Sequence, residues 1–129
     1  MRWTEDQLRA YELRQAPKHR SAMPEDAVED ESQLHREIVQ ECAHRGWMAL
    51  HGSMAHKTFR VIGEPDFQIL ADKGRTFYLE CKKKGSKPTK EQQLFLAWAR
   101  KLGHVAEVVY SVGQVRDIFD GRQSTNNTQ

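Results

Sequence analysis

The chain has 129 residues, 38% of them hydrophobic and 29% charged, which suits a single domain with a modest core rather than two cramped ones. It contains no run approaching the roughly 18 apolar residues that a spanning helix needs, so a membrane-spanning helix is excluded. The formal net charge of +2 hides an asymmetry: residues 1–33 carry five Lys/Arg against eight Asp/Glu, and residues 34–129 carry fifteen against ten.

Residues 3–15 place Thr4 as N-cap, Gln7 three positions later, and Leu8, Tyr11 and Leu13 near helical spacing, which predicts a short amino-terminal helix. The first 25 residues alternate acid and base, unlike a secretory or transit segment, and the expected location is the cytoplasm. Ala16 to Asp30 holds Pro17 and Pro24 with few large apolar residues, and reads as a linker or loosely attached arm. From Glu31 to Gly46, Leu34, Ile38 and Cys42 recur every four residues, Val39 and Ala43 widen the stripe, and Gly46 stands at a helix C-cap. Trp47 to Leu50 suits a first strand, and His51 to Arg60 has no clear period and reads as a loop.

The runs Asp66–Ala71 and Thr76–Lys82 flank the polar turn Asp72-Lys73-Gly74-Arg75, the pattern of a β-hairpin at the middle of a sheet. Thr89 and Gln92 make a capping box for a helix over 90–102, whose stripe is Leu94, Phe95, Trp98 and Leu102 and whose stop is Gly103. A strand over Val105–Tyr110, a short helix over Val112–Phe119 and a disordered tail over 121–129 complete the chain. The order α-β-β-β-α-β-α specifies an α/β domain with a mixed sheet between helices. Cys42 and Cys81 fit no metal-ligand spacing, and a lone bridge would be a poor staple at this size, so both read as reduced residues of the interior.

In a hairpin turning about Lys73, Asp66 and Glu80 fall opposite one another, with Cβ atoms ~4.5–5.5 Å apart. Two like charges that close call for a cation between them. Strand alternation puts Lys82 on the same face as Tyr78 and Glu80, and turns Phe77, Leu79 and Cys81 the other way. Hard oxygen donors without a Cys/His set suit Mg²⁺ or Mn²⁺, and a neighbouring lysine adds fixed positive charge where a phosphate would develop negative charge. That combination serves phosphodiester hydrolysis. Lys83, Lys84, Lys87 and Lys90 extend the basic stretch along a nucleic-acid backbone, although charges in such a run also serve as a plain solvated face.

Gly63-Glu64-Pro65-Asp66-Phe67, Glu80-Cys81-Lys82, Thr89-Lys90-Glu91-Gln92 and Leu102-Gly103, in that order, resemble the VRR-NUC branch of the PD-(D/E)xK nucleases between about Glu31 and Tyr110. The resemblance implies a restriction-endonuclease-like core over residues 31–120 in which Asp66 and Glu80 bind the metal and Lys82 activates or positions water. It also implies a backbone carbonyl ligand from Cys81, which stands where valine is common, an acid from the first helix, and a glutamine from the later one. Glu31 matches the acid best, with Glu37 as competitor; first-turn dipole complementation is reason enough for Glu31. Gln92 matches the glutamine, although the capping box alone accounts for it.

Stand-alone members of this family resemble Holliday-junction resolvases, so the leading expectation is a Mg²⁺/Mn²⁺-dependent endonuclease selective for branched DNA, acting as a homodimer. Trp3, Leu8 and Tyr11 are candidates for its interface. The other reading is a non-catalytic DNA-binding protein on the same fold. His51, Ser53 and His56 are loop residues within reach of DNA or the site. His35 and His44 lie on the first helix without metal-ligand partners and read as surface residues, and Trp98 reads as core rather than as a base-stacking platform.

Overall fold

The computed structural model describes residues 4–7, 9–10, 23–52 and 63–122. In chain order the elements are α1 (Glu31–Arg45), β1 (Met48–His51), β2 (Phe67–Leu70), β3 (Thr76–Cys81), α2 (Lys90–Lys101), β4 (Val105–Val109) and α3 (Val112–Phe119). This is the predicted order. The strands form one mixed sheet, β1-β2-β3-β4, in which β1, β2 and β3 are antiparallel neighbours and β4 runs parallel to β3 after the α2 crossover. α1 and α3 cover one face, through Leu34, Ile38, Cys42, Val115 and Phe119 against Phe67, Ile69, Phe77, Leu79 and Cys81. α2 covers the other, where Leu96 and Ala99 meet Ala106, Tyr78 and Val108. Both cysteines are buried free thiols. Among the described residues no helix is long and apolar enough to cross a membrane.

Local chemistry explains the boundaries. Asp30 caps α1 by accepting from the Ser32 N–H, and Gly46 closes it in the left-handed region at φ 77°. The hairpin turn has Lys73 at φ 58° and Gly74 at φ 72°, with the Arg75 N–H donating to the Asp72 carbonyl at 3.1 Å. Consecutive left-handed residues give the turn twist that antiparallel strands prefer. At the amino terminus Thr4 and Gln7 form the reciprocal bonds of a capping box, Thr4 N–H to Gln7 Oε1 at 2.8 Å and Gln7 N–H to Thr4 Oγ1 at 3.1 Å.

Several expectations are corrected. Leu34, Ile38 and Cys42 are buried, but Val39 is 48% exposed and Ala43 is exposed as well. The reason is that α3 docks on the opposite flank of α1, where Glu41 meets Arg116 at 2.9 Å and Arg45 meets Asp120 at 2.8 Å. α2 is likewise rotated from its predicted stripe: Leu96, Ala97 and Ala99 are buried, while Leu102 is 64% exposed and Trp98 only partly covered. Small residues at the contact let the helix lie close to the sheet. Val28, in the stretch read as a linker, is buried in the core, its N–H donating to the Tyr110 carbonyl and its carbonyl accepting from Lys84 N–H. Trp3, Leu8 and Tyr11, with the rest of residues 1–3 and 11–22, Ser53, His56 and residues 123–129 lie outside the described residues.

Gly63 ties the segment before β2 to the start of α2. Its φ is +86°, and a Cβ added there would stand 2.2 Å from the Glu91 carbonyl oxygen. Gly63→Ala is therefore expected to cost at least about 1–3 kcal/mol of stability through left-handed strain alone, before any clash. A lowered urea midpoint checks this, and an unchanged midpoint would show that the approach is not needed for folding.

Candidate active site

The carboxyl end of β3 delivers Glu80, Cys81 and Lys82 in sequence. The register Phe67↔Leu79 carries one step further to set Asp66 level with Glu80, as the hairpin arithmetic predicts, although β2 itself begins one residue later than expected, at Phe67. Freed from the ladder, the Asp66 carboxylate turns to the end of β3, where its Oδ2 accepts the Cys81 N–H at 2.9 Å. Glu80 points to the α2 face and is 2% exposed. Its Oε2 accepts from Gln92 Nε2 at 2.9 Å and faces Lys82 Nζ at 3.4 Å. Its Oε1 is buried with no hydrogen-bond partner among the described residues.

Gln92 holds two roles at once. Its Oε1 accepts the Thr89 N–H at 2.8 Å, as the capping box requires, and its amide nitrogen fixes Glu80. The capping bond locks the side chain so that the donor faces the sheet.

The charges strain against one another. Burial, then the Asp66 charge, and to a lesser degree Glu31, push Glu80 up to about 7, against the pull of Lys82. For Asp66, burial works upward but is outweighed by the His35 imidazole and the Cys81 N–H, which leave the carboxyl below its ordinary range. A buried carboxylate with one orphaned oxygen beside a second, ionised carboxylate is an arrangement that a divalent cation would satisfy. Asp66 and Glu80 thus fit a hard cation, and Cys81 follows Glu80 at the end of β3. The Cys81 side chain is fully buried on the opposite face, where burial pushes its thiol strongly upward.

Glu31 opens α1 and is half-buried, and its charge is felt at His35, Glu80 and Cys81. Glu37 instead accepts from Gln33 Nε2 at 3.4 Å on its own helix. Lys83, Lys84 and Lys87 are exposed on the segment between β3 and α2, and Lys90 is exposed at the first position of α2; the segment is pinned by Tyr110 Oη donating to the Ser86 carbonyl at 2.9 Å. Lys90 pairs with Glu5 of the amino-terminal helix.

Two residues differ from their expectation. His35 is not a partnerless surface residue: its Nε2 lies 3.7 Å from Asp66 Oδ2, and its ring meets those of His51 and Phe67 at 4.7 and 5.4 Å. His51 ends β1 rather than starting a loop, and stacks on Phe67 at 4.6 Å. The Asp66 charge, opposed by burial, raises the His35 imidazole above its ordinary value. His35 lies four residues after Glu31 on one side of α1 and His51 follows Trp47 and Ala49 at alternate positions, but neither spacing says what lies beyond the helix or the strand end. His44 is exposed, as expected. A cleft of about 190 Å³ opens beside Asp66, with Leu50, His51, Gln68, Tyr78 and Phe95 among its walls.

No family model matches the chain, and no curated protein does. A solved structure described as "VRR_NUC domain" matches with a TM-score of 0.60 at 24% identity, covering 73% of this chain and 97% of that one. The chain has the fold of a VRR_NUC domain.

Proposed function

We propose that this protein is a metal-dependent endonuclease that hydrolyses phosphodiester bonds in DNA, with Asp66, Glu80, Lys82 and Gln92 as its catalytic group. The observation that carries the reading is the orphaned, buried Glu80 Oε1, on a carboxylate whose other oxygen faces Lys82, in a chain with a VRR_NUC fold. Asp66, Glu80, the Cys81 carbonyl and Glu31 would hold Mg²⁺ or Mn²⁺, and the ion when bound supplies Lewis-acid activation of water and phosphate. The chain's own groups do the rest. Gln92 keeps Glu80 in one orientation, the Cys81 N–H does the same for Asp66, and Lys82 presents a fixed cation to the scissile phosphate. Lys83, Lys84, Lys87 and Lys90 follow the DNA backbone away from the cut.

A domain over residues 31–120, with residues 1–30 as an arm anchored through Val28, has little surface for reading bases, so selectivity rests on DNA structure. Branched DNA is the proposed substrate and a homodimer the proposed form, because paired incisions need two sites at a fixed separation. Plasmid nicking with Mg²⁺ against EDTA tests the chemistry, and labelled junctions, flaps and single strands test the substrate. DNA retention without nicking in either ion would overturn the enzymatic reading in favour of a DNA-binding role. Light scattering that returns the monomer mass without DNA and one protomer per junction with it would overturn the dimer.

The helix acid has its own test. Glu31→Gln is expected to slow metal-dependent cutting by at least about 10–100-fold, and Glu37→Gln to change it little. The reverse ranking in parallel turnover measurements transfers the role to Glu37.

A further inference from the structure

His35 from α1, His51 from the end of β1 and Asp66 from the approach to β2 each offer a ligand atom, and these atoms all lie within 4.8 Å of one another. Three separate elements converge on the point, so the cluster does not follow from sequence proximity. Phe67, itself 1% exposed, supports both imidazoles, edge-on to His35 and stacked under His51. The rings are therefore oriented before anything binds.

The contact between His35 and Asp66 is of an unusual kind. At 3.7 Å it is too long for a hydrogen bond, and His35 Nε2 is buried with no hydrogen-bond partner among the described residues. Two ligands each about 2.0–2.2 Å from one ion stand roughly 3–4 Å apart, which is the separation observed. Asp66 has a second oxygen to offer elsewhere, since a carboxylate can serve two cations. His51 is exposed and borders the cleft beside Asp66, which provides an entry path.

We infer that His35, His51 and Asp66 form a second cation position, distinct from the all-oxygen set and sharing Asp66 with it, which takes a borderline first-row ion such as Co²⁺ or Zn²⁺ in preference to Mg²⁺. Two imidazoles and one carboxylate are a donor set that Mg²⁺ disfavours, because it holds to oxygen ligands and retains its waters. The inference deepens the reading of this end of the sheet as a metal centre. Its test uses no DNA, so the two can fail separately.

The whole chain is titrated with Co²⁺ in excess Mg²⁺ and followed by the visible absorption of the ion. One equivalent should bind with the bands of a nitrogen-ligated site. His51→Ala, a change at an exposed position, and His35→Gln should each weaken uptake by roughly 10–100-fold or more, whereas Glu80→Gln should leave it in place. Unchanged Co²⁺ affinity in either histidine variant overturns the inference, and so does complete displacement by Mg²⁺ or loss of the ion on Glu80→Gln. A chain that passes this titration yet never nicks DNA retains the cation position and loses the nuclease assignment.

Discussion

Glu80→Gln is expected to abolish metal-dependent cleavage and, in the metal-free protein, to remove a loss of stability that the native chain suffers as pH rises. The first effect follows from charge. Glutamine keeps the shape and can still accept from Gln92, but it offers a cation no charge in place of the orphaned Oε1. The second follows from where the proton sits. The folded chain keeps Glu80 protonated up to about 7, whereas the ordinary value is 4.5, so between these limits the native state binds the extra proton. Stability then falls as pH rises through that window. The expected fall is on the order of 3 kcal/mol for a buried group shifted this far. Urea unfolding in EDTA at both ends of the window should show it in the native chain and not in the variant, and Mg²⁺ should restore stability at the alkaline end for the native chain alone. Normal cleavage by the variant would remove Glu80 from the site. A native chain equally stable across the window would show that Oε1 is hydrogen-bonded in solution. Asp66→Asn should be as inactive, and the stability that Asp66 itself contributes has the opposite pH dependence, lost as pH falls, because Asp66 lies below its ordinary range.

The acid pair was legible for a reason that does not extend to its surroundings. In a tight hairpin the turn sets the register by counting, and the observed pairing Phe67↔Leu79 and Gln68↔Tyr78 leaves Asp66 and Glu80 level whatever the rest of the fold does. Gln92 was legible as a cap but its second bond was not, because a capping box is local and the Glu80 contact needs the angle at which α2 lies on the sheet. That angle was also misjudged from the stripe. Of the predicted stripe Leu94, Phe95, Trp98 and Leu102, only Phe95 packs against the cluster on the sheet, whose helix members are Leu96 and Ala99, and the small Ala99 lets the helix lie close.

The imidazoles were hidden differently. His35 stands next to Leu34, which is fully buried, and one residue's rotation around a helix separates core from solvent. Which way the neighbour of a core residue faces depends on what lies beyond the helix, here the strand end carrying His51 and Asp66. No periodicity within α1 contains that information. Val28 is a similar case: its bonds to Tyr110 and to Lys84 are made by segments far away in sequence, so a stretch poor in apolar residues reads as loose although tertiary bonding holds Val28 in place.

Lys82→Ala should lower the cleavage rate by about 10²–10³-fold, the loss typical of removing one donor aimed at developing charge, while leaving Mg²⁺ affinity and DNA affinity nearly unchanged. Lys82 is well covered, with its Nζ 3.4 Å from Glu80 Oε2, so its charge is directed at the site rather than spread over the surface. Removing it also removes the pull that opposes the upward push on Glu80, and the Glu80-linked loss of stability should become larger and extend to higher pH in the metal-free chain. Lys84 differs in each respect. Its backbone N–H is bonded to the Val28 carbonyl, which fixes the segment, and its side chain is exposed. Lys84→Ala should therefore leave the rate at saturating DNA intact, weaken DNA binding, and flatten the dependence of log K on log salt by about 0.9, one phosphate contact's share on duplex DNA. Single-turnover rates and a salt series on the two variants separate these effects. If Lys82→Ala changes the salt slope and Lys84→Ala the rate, the lysine facing the carboxylates has been assigned to the wrong side of the strand.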